Sequence, residues 1–328
     1  IYFLLLKLFK LNYNKIMSIL VTGGGGYIGT LLVSELLKLN KKVRVIDTFW
    51  FGNYLKKNKN LEIIKKDILN CNDKDFKNIK TVIHLASVAN DPASNLDPKL
   101  TWEISCLGTM KLCELSKINN INKFIFASSG SVYGIKKEKK VHEDLTLLPI
   151  SDYNKTKMIA ERVIESYKKY FKYYLIRPGT VYGYSPRMRL DLMINILTYN
   201  ALTKKKITVF GGNQIRPYIH IQDMVNVYLF MLKKNLPSGA YNASVGNLSA
   251  KNTAYEIKNI INDCKIIYQK SNDPRSYRLS NEKLLSNGFN FKIGLNWGIY
   301  NFIENFKNGK IKNNKNAYSI NFINKIKL

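Results

Sequence analysis

Residues 17–40, MSILVTGGGGYIGTLLVSELLKLN, constrain the fold more than any other stretch. An apolar β-type run (Ile19, Leu20, Val21) passes through glycines into helical periodicity, with Leu31, Leu32, Leu36 and Leu37 on the buried side. Gly23, Gly26 and Gly29 keep a T-G-x-x-G-x-x-G spacing. Glycines so spaced serve a tight turn, close approach of backbone to a pyrophosphate, and helix–strand packing; the helix N-terminus meets the phosphate charge. No Lys-Ser/Thr pair follows, which argues against a nucleoside-triphosphate loop. KVRVID then reads as a second strand ending at Asp47, about 20 residues on, where a carboxylate holds an adenosine ribose diol. An acid there repels a 2′-phosphate, so NAD is expected rather than NADP.

The alternation continues. LEIIKKD reads as a third strand ending at Asp67, TVIHLAS as a fourth, NKFIFASS as a fifth and KYYLIRPGTVYG as a sixth, with a helical stretch from about Thr101 to Lys117 before the fifth. Such βα units predict an α/β, Rossmann-type doubly wound parallel sheet with ligands at the carboxyl ends of its strands. A chain of 328 residues, 45% of them hydrophobic, can add a second lobe. The expected division is a dinucleotide-binding domain over 17–180, with a returning segment at about 222–245, and a smaller, mainly helical lobe over 181–306. Within that lobe GYSPRMRLDLMIN opens a helical stretch and ITVFGGNQIRPYIHIQDM reads as hairpin-like. A C-terminal tail spans 307–328; its Lys/Asn-rich part from Lys307 to Lys315 reads as a mobile link.

The formal charge of +29 raises the question of a nucleic-acid or membrane partner. The lysines fall in short separated runs without interleaved aromatics, and Lys, Asn and Ile crowd every segment, so compositional bias is the preferred explanation. No specific nucleic acid and no membrane is expected. Cys71, Cys106, Cys113 and Cys264 form no CxxC pair or metal-ligand spacing; they fit a reducing cytoplasm, and no metal is expected. In residues 1–16, IYFLLLKLFKLNYNKI, Lys7 and Lys10 interrupt the apolar run too early for a membrane span. This segment is read as a non-native or disordered extension ahead of Met17, the alternative being an amphipathic anchor.

SDYNKTK, residues 151–157, sets Tyr153 four positions before Lys157 near the start of a helix. Alone, Y-x-x-x-K is satisfied by a surface tyrosine beside solvated lysines. A phenol, with a reference pKa near 10, needs positive neighbours to act as a base at neutrality.

Taken together, TGGGGYIG (22–29), Asp47, KKDI (65–68), HLAS (84–87), SSGSVYG (128–134), YNKTK (153–157), RPGTVYG (177–183) and RPYIHIQD (216–223) resemble the extended short-chain dehydrogenase/reductase family of nucleotide-sugar epimerases and dehydratases. The resemblance spans most of Met17 to about Lys307. It implies that Tyr153 is the catalytic acid/base, Lys157 its activator and Ser129 the hydroxyl holding the reacting sugar oxygen. A cationic lysine and a positive nicotinamide together favour the phenolate. The same resemblance puts Tyr27 and Ile28 in the phosphate turn, Asp67 and Ile68 at the adenine, Leu85 and Ala86 beside the dinucleotide, and Pro178 and Val181 near the nicotinamide. It implies a nucleoside diphosphate-sugar closed under the second lobe, with Arg216 clamping the diphosphate through its planar guanidinium. Ser131 joins Ser129 on the substrate side. Arg187 and Arg189 at the mouth, and Arg275 and Arg278 near the diphosphate, are weaker candidates for which a surface ion pair is an equal explanation. His220 is expected to be packed and hydrogen-bonded, and Asp223 to sit at a helix N-terminus. A homodimer through the helices near 101–118 and 153–170 is implied as well.

Two departures bear on the reaction. Where related dehydratases carry an acidic pair this chain has Gly130 and Ser131, and a related decarboxylase pattern has Glu at the second of these. Ser105 stands where the family usually has Asn. The expected function is therefore an NAD-dependent nucleotide-sugar epimerase working through a transient 4-keto sugar. The alternatives are an NAD(P)H-dependent keto-sugar reductase, a dehydratase if an acid enters from elsewhere, or a non-catalytic basic Rossmann scaffold that binds RNA.

Overall fold

The computed structural model describes residues 18–271 and 276–326. The expected extension over 1–16, and Arg275, lie outside the described residues.

β1 (Ser18–Thr22), β2 (Val43–Asp47), β3 (Leu61–Lys65), β4 (Ile79–His84), β5 (Lys123–Ala127) and β6 (Lys172–Pro178) join β10 (Gly239–Ala243) in one sheet of order β10-β6-β5-β4-β1-β2-β3. Every pairing in it is parallel. A parallel sheet is covered on both faces, so its inner strands read as continuous apolar runs rather than alternations. One face packs on α1 (Tyr27–Lys38) and α5 (Ile221–Lys233) through Leu32, Leu36, Val225 and Tyr228. The other packs on α2 (Gly108–Ile118) and α3 (Asp152–Ser166) through Leu112, Cys113, Ala160 and Ile164. His84 is buried between the hydroxyls of Thr22 at 2.7 Å and Thr109 at 3.0 Å, and burial brings its pKa down to about 3, so it stays neutral.

The strand order reverses between β1 and β4, which opens a crevice at their carboxyl ends. The glycine turn forms its floor. A Cβ on Gly23, which has φ +74°, would lie 2.5 Å from the Ala86 nitrogen. One on Gly29 would lie 2.4 Å from the Gly23 carbonyl oxygen, so the helix meets the strand only because both residues are glycine.

The second lobe holds α4 (Met193–Lys204), α6 (Ala250–Ile260) and α7 (Leu295–Lys307) around two small sheets. β7 (Thr180–Tyr182) and β11 (Gly246–Ser249) flank β9 (Ile215–His220); β8 (Lys206–Phe210) pairs in parallel with β12 (Lys265–Gln269). The stretch read as hairpin-like is therefore no hairpin. Gly211 and Gly212, at φ +75° and +136°, turn the chain out of one sheet into the other. Asp223 in the first turn of α5 accepts from the backbone of Lys292 and Ile293, tying a distant loop to that helix. His220 caps the same helix through Nδ1, but its Nε2 has no partner.

The tail is anchored rather than a free link. Ile311 and Ala317 are buried, and Leu190 donates to the Ala317 carbonyl at 2.9 Å. α8 (Ser319–Ile326) then packs on the short helix Asp91–Leu96, with Phe322 stacked at 4.5 Å on Trp50. Lys and Asn crowd the exposed surface of 307–315, while Ile311 within it and Ala317 just beyond it are buried.

Among the described residues no helix is long and apolar enough to cross a membrane, and no group of three or more His, Cys, Asp or Glu could hold a metal ion.

Candidate active site

A cavity of about 830 Å³ occupies the crevice between the sheet and the second lobe. Each candidate residue of the dinucleotide region lines it: the glycine turn with Tyr27 and Ile28, Asp47, Asp67 with Ile68, Leu85 with Ala86, and Pro178 with Val181. α1 begins at Gly26 with no side-chain cap, so its first-turn N–H groups face the cavity without a partner from a capping residue. Asp47 is fixed by the backbone N–H groups of Gly25 at 2.8 Å and Phe49 at 2.6 Å. Burial pushes its carboxyl up, and those hydrogen bonds oppose the shift. Asp67 caps the turn Ile68–Asn70 by accepting from Leu69 at 2.9 Å, which holds Ile68 buried at the wall. Uncapped helix N–H groups, a fixed carboxylate and a glycine floor fit a dinucleotide.

On the opposite wall stand Ser129, Tyr153 and Lys157. Ser151 caps α3, so Tyr153 falls in the first turn and Lys157 one turn later on the same face. Lys157 is buried; its Nζ donates to the Ala127 carbonyl at 2.7 Å and lies 5.9 Å from the Tyr153 ring centroid. Desolvation brings its pKa down to about 7, opposed by Cys106 and Glu161. Glu161, another turn along, forms a buried pair with Arg177 of β6 at 2.6 Å and accepts from Ser128 at 2.5 Å. That pair bolts the helix bearing Tyr153 to the strand leading to Pro178.

Ser129 is held by a chain of hydrogen bonds. Asp91 accepts from Ser151 and, at 3.3 Å, from the Asn154 amide nitrogen. This turns the Asn154 oxygen toward Ser131, which donates to it. With its proton used there, Ser131 accepts at 2.7 Å from Ser129. Ser131 is buried and lines the cavity beside Ser129. Ser105 meets the Ser87 hydroxyl at 3.2 Å where residues Glu103–Leu107 wind as a π-helix, a local widening of the helix at the family's usual Asn position.

The arginines divide. Arg216 is half-buried on the cavity wall. Arg189 is buried and committed to Asp191 at 2.9 and 3.1 Å, so it braces the wall. Arg187 is buried over the Phe51 ring on the Asp47 side rather than at a solvent-facing mouth. Arg278 is not at the site. It is exposed, because the extended chain turns Tyr277 and Leu279 inward and points the residue between them out. Wall residues that escaped the sequence reading include Trp50, Phe51, Asp91 and Asp191. For the aromatic pair the run FWF after Asp47 was an available signal; for the two acids there was none.

The chain is similar to known proteins of one kind. A Methanocaldococcus jannaschii protein with a provisional UDP-glucose 4-epimerase name is 31% identical over 88% of this chain and 98% of its own. The dTDP-D-glucose 4,6-dehydratase of Dictyostelium discoideum is 31% identical over 77% of this chain and 62% of its own. Among solved structures, the UDP-glucuronic acid 4-epimerase of Bacillus cereus, in complex with UDP-glucuronic acid and NAD, has a TM-score of 0.82 and 28% identity, covering 89% of this chain and 99% of its own. The pattern of the NAD dependent epimerase/dehydratase family matches residues 19–244, and this chain belongs to that family of enzymes.

Proposed function

We propose that the protein is an NAD-dependent nucleotide-sugar epimerase acting at C4 of a UDP-sugar through a transient 4-keto sugar. The observation that carries the reading is the meeting, in one cavity, of the uncapped glycine turn with Ser129, Tyr153 and Lys157. In this reading Ser129 holds the C4 oxygen while Tyr153 takes the hydroxyl proton and later returns it. Lys157 stabilises the phenolate, and Arg216 receives the diphosphate of the sugar nucleotide. NAD, when bound, supplies reversible oxidation at that carbon. Gly23, Gly26, Gly29, Asp47, Asp67, Ile68, Leu85, Ala86, Pro178 and Val181 would hold it.

Dehydration needs an acid beside the catalytic hydroxyl, and position 130 has no room for one. A Cβ there would lie 2.7 Å from Leu279 Cδ1 and 2.8 Å from the Pro178 carbonyl oxygen. One observation favours the second reading: Asp91 is a carboxylate on the cavity wall. Its hydrogen bonds to Ser151 and Asn154 assign it to positioning first.

The test is NMR analysis of products from UDP-, GDP-, CDP- and dTDP-sugars. An isomer formed without net NAD consumption is the expected result. A dehydrated keto-sugar would move the assignment to a dehydratase, and stoichiometric NAD(P)H oxidation to a reductase. We place the enzyme in the cytoplasm as a homodimer, supported by the exposed Trp102, Leu107, Met110 and Ile159 on the two helical stretches expected to pair. Sedimentation as a monomer at micromolar concentration would remove the dimer.

A further inference from the structure

Among the described residues Arg187 makes no salt bridge; Asp191 and Asp47 act on it only from beyond ion-pair distance. It is 2% exposed, its guanidinium lies 3.9 Å from the Phe51 ring centroid, and its Nε has no hydrogen-bond partner. Burial, reinforced by the neighbouring Arg189 charge, pulls its pKa down to about 9, far below the usual guanidinium range. The nearby acids are occupied. Asp191 serves Arg189, Asn90 and the Ser319 N–H, and Asp47 serves the N–H groups of Gly25 and Phe49.

The loop that carries Arg187 is fixed to the first turn of α1. The Tyr27 hydroxyl donates to the Gly183 carbonyl at 2.7 Å, Ser185 donates to the Tyr27 carbonyl at 2.7 Å, and Thr30 meets the Ser185 hydroxyl at 2.9 Å. Arg187 and the uncapped N-terminus of α1 are thus held on one frame and line the same cavity. Both attract an anion, and in NAD the pyrophosphate is the anionic part.

We infer that Arg187 is the counter-charge for the NAD pyrophosphate, a cofactor-retention residue rather than a contact of the sugar nucleotide. This rests on the NAD-dependent reading above. Phe51 stacks under the guanidinium and keeps it flat, and the burial that makes the cation costly alone strengthens its pairing with phosphate.

The experiment titrates cofactor-stripped wild type, Arg187→Met and Arg187→Lys with NADH, NADPH and UDP separately, beside thermal melts. The expected result is a loss of NADH affinity of at least about tenfold in Arg187→Met, a smaller loss in Arg187→Lys, and UDP affinity within about twofold of wild type. Inorganic pyrophosphate should compete with NADH in the wild type and less in Arg187→Met; this comparison in Arg187→Lys decides the matter if the methionine variant does not fold. Unchanged NADH affinity, a loss confined to UDP, or a loss confined to NADPH would each overturn the assignment. A wild type that binds no dinucleotide would instead remove the parent reading.

Discussion

Lys157 must be cationic to hold a phenolate, yet its burial favours the neutral amine. Desolvation brings it to about 7, and a phenolate formed on Tyr153 would favour its staying charged. The form that has lost one proton includes phenolate beside ammonium, which is the working base. kcat/KM should therefore rise with pH as Tyr153 ionises. In Lys157→Met the cation is gone and this limb should move toward the ordinary phenol range near 10, with turnover well below wild type at pH 7; an unmoved limb would contradict the pairing. The unfolded chain keeps its lysine proton up to about 10, so stability from this residue grows as pH rises from 7 to 10. Melting temperatures across that window should climb more steeply for wild type than for Lys157→Met. At Asp47 the prediction is simpler: Asp47→Ala should weaken NAD binding by about tenfold in a direct titration. Residues of this kind were legible because their spacing is chemical, four positions from phenol to amine and about 20 from glycine to carboxylate. Arg278, for which a surface position was an equal reading, is exposed because its segment alternates, with Tyr277 and Leu279 buried on either side. Asp91 was missed because its place follows from the approach of the helices Asp91–Leu96 and α3, which no local pattern records.

Among the elements, α3 is the one whose position sets the geometry of the reaction. It is held at its start by Ser151 and Asp91 and at its middle by Glu161 on Arg177. The Glu161 and Arg177 side chains are 2% and 5% exposed, and the Tyr133 hydroxyl completes the cluster at 2.8 Å from Arg177. Removing one partner leaves the other charge buried, so Arg177→Met should cost about 3–5 kcal/mol in urea unfolding, and the double variant with Glu161→Gln much less. Equal losses in both would show that packing, not charge, is what Arg177 supplies. The strands of the large sheet were readable from apolar runs bounded by turn residues, because burial on both faces imprints itself on sequence. The pairing of β8 with β12 was not, since it joins segments more than fifty residues apart and neither carries a register signal.

At the scale of the whole molecule, the residues after Lys310 complete a wall of the cavity that no local pattern announces. Ser319 and Ile320 line the cavity, and Phe322 closes over Trp50 and meets Phe51 edge-on at 5.7 Å. A protein ending at Lys310 loses the burial of Ile311 and Ala317 and the stacked ring, so it should unfold at roughly 2–4 kcal/mol lower stability. Its bound NAD should exchange several-fold faster, as read by chasing labelled cofactor with unlabelled. Equal exchange would show that the segment only stabilises. The charge of +29 belongs to this scale as well: it is spread over separated lysines, while the cavity wall carries both signs, Asp47, Asp67, Asp91 and Asp191 beside Lys66, Lys157, Arg187, Arg189 and Arg216.

The order in which this polypeptide is made gives the tail a further meaning. Residues 311–322 emerge from the ribosome after every strand and helix they lie across, so a nascent molecule presents an open nucleotide crevice before its cover exists.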